Sequence, residues 1–486
     1  MHAFNRATEG VAVNFFSIEF AFFILILFIV YWILPGKYRN LALLAGGYVF
    51  YAFAGLRYTV ILGVFTVSSY FFGRTIEKQR ERGQNPKAAL VFGILIPLCT
   101  LFVLKYLDFA ISVVSDISNH HFSAFQLILP LGISFYTFQV TGYLIDIYRG
   151  HEKAEKSFIT YAAYIAFFPQ LTSGPIARTK TILPQFRKAR DFNYNFAVYG
   201  AKRFAVGFFQ KYFIANRLGE FVDAIYADLS GYADGILIVT TVFYTLQIYF
   251  DFCGYTHMVT GIAALFNIKL DENFNAPYFS QSIRSFWARW HMSLTSWLRD
   301  YVYIPLGGNR CGKFRSSMNV FITFLISGLW HGANYTFLIW GALHGAAQIA
   351  ENLIGGKKIK DSKGIPGLLR MLAVFIFVNF AWIFFRASDV QTAITMISRI
   401  MNGLLNLADG MKTAYSFIAS FGIRMWIAIG SVAVFGVMDY RLLHGKKVDF
   451  TNRLRTPVRW AVYILAMFAT MLLATEGTSQ FIYVAF

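Results

Sequence analysis

The chain has 486 residues, of which 57% are hydrophobic, 19% aromatic and only 14% charged. Soluble domains carry about 25% charged residues, so this composition excludes a globular domain with an anchor and points to an all-α polytopic membrane protein, read here as one integral domain over residues 1–486. The net charge of +19 does not call for nucleic acid, because the basic residues are scattered through loops between apolar runs, as the positive-inside rule expects.

In chain order, apolar runs predict spans at Phe15–Leu34, Leu41–Ala54, Tyr58–Phe72, Ala88–Leu104, Leu127–Tyr148, Phe196–Ala215, Ile236–Phe250, Gly254–Phe266, Met318–Trp330, Ala333–Ala350, Leu368–Phe385, Ile423–Met438 and Trp460–Ala474. The first lacks a preceding basic cluster and a small-residue cleavage site, so it reads as a retained span. Several runs fall short of the ~20 residues that cross a hydrocarbon core. Such segments suit tilted, broken or re-entrant helices that line a protein-enclosed cavity. Tyr161–Gly174, flanked by Lys153, Lys156, Arg178 and Lys180, is the re-entrant candidate.

Charge sets the orientation. Loops Arg74–Lys87, Arg299–Arg315, Gly355–Arg370 and Arg441–Arg459 are basic and read as cytosolic. Glu220–Asp234 holds no Lys or Arg and reads as external. Both chain termini then fall outside. Met318–Trp330 and Ala333–Ala350 leave and return to the cytosolic side, which puts His331 at the turn of a hairpin, at depth in the membrane. An ionisable residue there is a functional candidate by default, and histidine is the side chain best suited to move a proton near neutral pH.

A second candidate is His291. Ile283, Trp287, Trp290, Leu294, Trp297 and Leu298 recur at helical spacing, predicting one amphipathic helix over Ser285–Asp300. On such a helix Trp287, Leu294 and Leu298 flank His291. His344 with Gln348 reads as a group bonded to a neighbouring helix. Asp251 and His257 either line a cavity or pair with each other, and His120 and His121 read as solvated loop residues. Cys99, Cys253 and Cys311 have neither disulfide nor metal spacing, and no metal site is expected. No phosphate loop, nucleophile elbow, zinc-helix motif or dinucleotide fingerprint is present.

These segments together resemble the membrane-bound O-acyltransferase superfamily, in particular its bacterial polysaccharide branch typified by alginate O-acetyltransferase. The resemblance is carried by Phe168-Pro169-Gln170 with Ser173-Gly174-Pro175-Ile176, by Tyr249-Phe250-Asp251-Phe252 with Gly254-Tyr255, and by Glu272-Asn273-Phe274-Asn275 with Pro277-Tyr278. It continues through Ser285-Phe286-Trp287, Trp290-His291, Leu298-Arg299-Asp300-Tyr301, Ile304-Pro305-Leu306-Gly307-Gly308 and Leu329-Trp330-His331-Gly332. It runs from about Asn14 to the C-terminus.

The resemblance implies a ring of tilted transmembrane and re-entrant helices around a central tunnel that contains the histidine. It implies acyl transfer, here acetyl, from a cytosolic thioester to an extracytoplasmic polysaccharide such as alginate, in the bacterial inner membrane. The donor is acetyl-CoA or an acyl carrier thioester, which a cationic cytosolic face attracts. No bound cofactor is expected. An exported polysaccharide O-acyltransferase is the expected partner, alongside the lipid bilayer.

His331 matches the family's principal catalytic residue, a general base. His291 matches its second active-site position, which positions the donor, stabilises the oxyanion or orients His331. Trp290, Trp330, Asp300 and Asp251 are expected to line the donor site or tunnel. His257 stands where relatives often carry Asp, so no role carries over. Phe481-Ile482-Tyr483 resembles a terminal motif of the branch, although Val484-Ala485 departs from it. Tyr483 is a possible acyl relay, since a phenyl ester is more reactive than an alkyl ester; its alternative is an interfacial anchor. Other readings stay open: D-alanyl transfer to teichoic acid, fatty acylation of a protein, or a transporter with a histidine proton relay. A transporter predicts internal repeats, and none is evident.

Overall fold

A computed structural model of the protein describes residues 15, 17–120, 122–355, 361–446 and 454–474. Among them every regular element is helical and no strand occurs. The chain packs as two compact units, Met1–Ala201 with Val259–Asp271, and Lys202–Met258 with Glu272–Phe486.

The first unit opens with α1 (Ile18–Ile33), capped by the Ser17 hydroxyl, which accepts from Phe20 N at 3.1 Å. Helices α2 (Arg39–Ala54) and α3 (Leu56–Glu81) follow. Then α4 (Lys87–Leu101) passes through a π-helical segment, Phe102–Tyr106, into α5 (Leu107–Ser118), one apolar rod of 32 residues. After α6 (Ile133–Arg149) come the short α7 (Phe158–Ile165), α8 (Phe168–Leu171) and α9 (Thr179–Arg187). Helix α8 and the Tyr161–Ile165 part of α7 are buried. The Gln139 and Gln170 amides both donate to Tyr164 O, at 3.1 and 2.6 Å, so backbone left open by the broken helix finds partners inside the protein, as membrane burial demands. Buried Arg190 ties the unit together through Tyr31 Oη at 2.7 Å and Asn40 Oδ1 at 2.9 Å.

Helix α10 (Tyr194–Phe209) leads through a second π segment, Gln210–Ala215, into α11 (Asn216–Ala227). Helix α12 (Ile236–Leu265) runs 30 residues without a break. The second unit continues with α13 (Ile283–Trp287), α14 (Met292–Leu298), a π segment at Arg299–Tyr303, α15 (Lys313–His331) and α16 (Tyr335–Ile354). It closes with α17 (Gly364–Arg386), α18 (Val390–Leu405), α19 (Leu407–Ser420), α20 (Ile423–Leu443) and α21 (Thr456–Leu473).

Among the described residues, six helical stretches are long and apolar enough to cross a membrane: Leu56–Glu81, Lys87–Ser118, Ile236–Leu265, Gly364–Arg386, Ile423–Leu443 and Thr456–Leu473. At 1.5 Å per residue the shortest is about 27 Å long, close to a hydrocarbon thickness. Large side chains such as Phe92, Ile376, Val434, Ile464 and Phe468 stand exposed on four of them, which suits a lipid-facing surface. The chain is a multi-pass membrane protein.

Several elements differ from the sequence reading. The two spans expected at Ile236–Phe250 and Gly254–Phe266 are one helix, because Gly254 serves close packing rather than a turn: a Cβ there would meet Gly207 O at 2.7 Å. The acidic stretch from Glu220, which lies between the expected spans, is helical to Ala227. Helices α18 and α19 have alternating polar and apolar faces, with mean hydropathy too low to read as spans. The single amphipathic helix expected over Ser285–Asp300 is broken at His291, whose backbone is left-handed at φ 43°.

Candidate active site

The site forms at the α15–α16 hairpin in the second unit. These two helices pack unusually close because glycine faces backbone across their contact. A Cβ on Gly328 would lie 2.2 Å from Phe337 O, and one on Gly341 would lie 2.4 Å from Phe324 O. At the turn, a Cβ on Gly332 would meet the Phe337 ring at 2.2 Å. Asn334 starts α16 by accepting from Thr336 N at 3.0 Å, and its amide donates to Ser388 O at 2.8 Å. Such a cap contributes ~1 kcal/mol and here also anchors the turn to the start of α18.

His331 is the last residue of α15 and is 3% exposed. Aromatic rings surround it: Trp330 at 4.8 Å, Trp340 at 5.1 Å and Phe385 at 5.1 Å between centroids. Trp382 extends this wall, 4.9 Å from Phe385 and stacked on Trp340 at 5.8 Å. A histidine at a hairpin turn, expected from the sequence, is what the structure has.

His291 reaches the same neighbourhood by another route. Helix α13 starts where the Glu351 carboxylate accepts from Ile283 N at 2.6 Å and Ser282 accepts from Ser285 N at 3.0 Å. The chain then turns through Ala288–His291, and buried Asn273 holds the turn. Asn273 O accepts from Met292 N at 3.0 Å, its Oδ1 accepts from Ser293 N at 3.3 Å, and Asn275 N donates to Arg289 O at 3.0 Å. These bonds satisfy the first amides of α14. They hold His291 in a left-handed conformation that costs a side-chain-bearing residue about 1–2 kcal/mol.

The His291 ring meets Phe252 edge to face at 4.7 Å and Trp330 at 5.7 Å. The break at His291 brings these two rings to the imidazole, contacts that helical spacing did not predict. Both histidines thus lie against Trp330.

Other expected residues divide. Trp290 is fully buried in the same aromatic mass, 5.2 Å from Trp382 and 5.1 Å from Phe274. Asp300 sits in a π segment and forms an ion pair with Arg299 at 2.8 Å. Asp251 and Lys211 form a buried ion pair, while His257 Nδ1 meets Gln210 Oε1 at 2.8 Å. Asp251 thus has Lys211 as a partner and His257 has Gln210. Gln210 and Lys211 come from a π segment, whose extra residue turns both toward α12; no periodic signal in the sequence marks it.

His344 accepts at Nδ1 from Trp287 Nε1 at 3.2 Å, the interhelical bond expected of it. Tyr483 lies outside the described residues. Among those residues, no group of three or more His, Cys, Asp or Glu is arranged to hold a metal. Sequence reasoning missed Asn273 and Trp340: the first acts through backbone bonds, and the second reads as one more apolar residue of a helix.

The chain is similar in sequence to known proteins. Residues 151–387 match the model of the membrane-bound O-acyltransferase family. A probable alginate O-acetylase of Azotobacter vinelandii is 38% identical over 85% of this chain and 86% of its own length. A peptidoglycan O-acetyltransferase of Helicobacter pylori is 34% identical over 80% of each. A teichoic acid D-alanyltransferase of Bacillus subtilis is more distant, 28% identical over 62% of this chain and 79% of its own length.

Proposed function

The chain belongs to the membrane-bound O-acyltransferase family, and from that premise we propose that it transfers an acetyl group from a cytosolic thioester to hydroxyls of an extracytoplasmic polysaccharide, alginate or a similar exopolysaccharide. The observation that carries this reading is His331, an imidazole at the end of a helix inside a buried aromatic enclosure. The greater similarity to O-acetylating relatives than to a D-alanyltransferase supports acetyl over D-alanyl.

His331 is the general base. It takes the proton of the attacking hydroxyl and returns it to the departing thiolate, a role that typically contributes ~10²–10⁴-fold. His291 acts beside it as a positioning residue through Trp330. The aromatic walls exclude water, which would otherwise hydrolyse the acyl donor. Trp290 belongs to those walls. Asp300 and the Lys211–Asp251 pair maintain the surrounding helices.

The donor is acetyl-CoA or an acyl carrier thioester, drawn to the basic loops on the cytosolic face. Those loops also set the orientation in a bacterial inner membrane, with both termini outside. A tunnel leads the acyl group to His331, and an exported O-acyltransferase completes the modification, with Tyr483 as acyl relay. The family match takes residues from both compact units, which supports treating residues 1–486 as one catalytic domain.

The test supplies radiolabelled acetyl-CoA to the cytosolic side of oriented proteoliposomes. Label should pass to the acceptor on the far side or to the enzyme itself, and should not do so with His331→Ala. Labelling only from the outer side contradicts both topology and mechanism.

A further inference from the structure

Helix α16 carries a line of hydrogen-bonding groups beside His331. Thr336, Trp340 and His344 recur every fourth residue, so they share one helix face, and all three are fully buried. Trp340 lies 5.1 Å from the His331 ring and 5.0 Å from the His344 ring.

The protonation state of His344 follows from geometry. An indole N–H can only donate, so the Trp287 Nε1 contact at 3.2 Å makes His344 Nδ1 the acceptor. The imidazole is therefore neutral, with its proton on Nε2. That Nε2–H, the Trp340 Nε1–H and the Thr336 hydroxyl have no hydrogen-bond partner among the described residues. Each buried donor left so costs about 1–3 kcal/mol, which singles this face out as a place built for an acceptor.

Water is a poor occupant between the two ring donors. It would accept from both, but its own hydrogens would face Phe385, 5.4 Å from Trp340, Phe377, 5.3 Å from His344, and Trp382. A buried water normally needs two to four polar partners, about three on average. An oxygen that only accepts fits better, and a thioester carbonyl is such an oxygen.

We propose that Trp340 Nε1–H and His344 Nε2–H form the oxyanion site of this enzyme, binding the acyl carbonyl oxygen of the thioester beside His331. This rests on the acyl-transfer reading above. The acceptor oxygen attacks the carbonyl carbon and forms a C–O bond while its proton passes to His331. The carbonyl π pair moves onto the oxygen, which the two N–H groups face. Collapse restores the C=O bond and breaks the C–S bond, and the proton on His331 goes to the departing thiolate. Donors fixed where charge develops need no reorganisation during reaction. Thr336, one turn nearer the hairpin end, continues the polar line toward the side from which a hydroxyl would enter.

The test compares two unreactive probes with purified full-length protein in nanodiscs. S-acetonyl-CoA keeps a ketone, and S-propyl-CoA has the same chain without it. Wild type should bind the ketone about tenfold more tightly, near 1.4 kcal/mol. Trp340→Phe, which keeps a ring and removes the N–H, should reduce that preference to about twofold or less without weakening S-propyl-CoA, as expected for one lost neutral hydrogen bond. Should Trp340→Phe fail to fold, His344→Phe and His344→Gln decide: the first should lose the preference, and the second, which restores an N–H near the Nε2 position, should keep most of it.

An unchanged preference in folded Trp340→Phe, or equal loss in His344→Gln and His344→Phe, overturns the oxyanion site. Wild type binding both probes equally also overturns it but leaves the thioester reading standing. Wild type binding neither probe overturns acetyl-CoA as the donor, and with it the site as a place for that donor's carbonyl.

Discussion

His331 and His291 are the same residue type, equally buried, and both lie against Trp330, yet their positions have different origins. His331 ends a regular helix, and its place is set by a hairpin whose glycines let two backbones touch. His291 sits in a left-handed turn that long-range bonds from Asn273 impose. The first position is local in origin and tolerant of distant change. The second depends on a residue eighteen positions upstream and stores backbone strain, as functional turns often do.

The sharpest way to break this contrast is to remove each imidazole. His331→Ala should reduce acyl transfer by about 10³-fold or more, within the range of general-base loss, with a detergent melting temperature close to wild type. Retained transfer would end its assignment as base, whereas a collapse in yield would make it structural. His291→Ala should lower turnover by ~10²-fold, as expected when a positioning contact is lost, in the same assay at matched protein level. Equal transfer in wild type and variant would return His291 to packing.

Asn273→Ala tests whether the His291 turn is held from a distance. Losing its side-chain acceptor should cost about 1–3 kcal/mol of stability and pull turnover toward that of His291→Ala. The double variant should then lose less than the two losses combined, because both act through one turn. Simple additivity in the double-mutant cycle would separate Asn273 from His291.

On the hairpin side, Gly328→Ala drives a methyl against Phe337 O and should destabilise by about 1–3 kcal/mol, read as a lower melting temperature. An unchanged value would mean that the helices part freely. The smallest effect is the most specific. With φ at 43°, His291→Gly should be about 1 kcal/mol more stable than His291→Ala, reversing the usual order of alanine over glycine. If alanine is the more stable, the turn relaxes once the imidazole is gone, and the strain belongs to the side chain.

Much was legible beforehand because it is written locally. Apolar runs divided by basic loops gave the membrane class. The run ending at Trp330, resuming after Gly332, put His331 at a hairpin turn that α15 and α16 form. Where one helix followed another without a polar break, or a helix stopped without a glycine or proline, periodicity misled. The 283–298 stretch keeps helical spacing throughout, yet breaks at His291 because Asn273 offers the α14 amides a better partner than the preceding turn. Gly254 reads as punctuation but is a close-packing site inside α12.

Composition and apolar patterning thus determined by themselves that this is an all-α multi-pass membrane protein, since each depends only on neighbours in the chain, and the resemblance of its motifs to a known family added the O-acyltransferase reading. Tertiary structure alone decided that His291 meets Phe252 and Trp330, that Lys211 pairs with Asp251, and that Trp340, beside His331, and His344 bury N–H donors with no partner among the described residues. Those facts rest on bonds and ring contacts between residues from nine to dozens of positions apart, and no local period encodes which of them will meet.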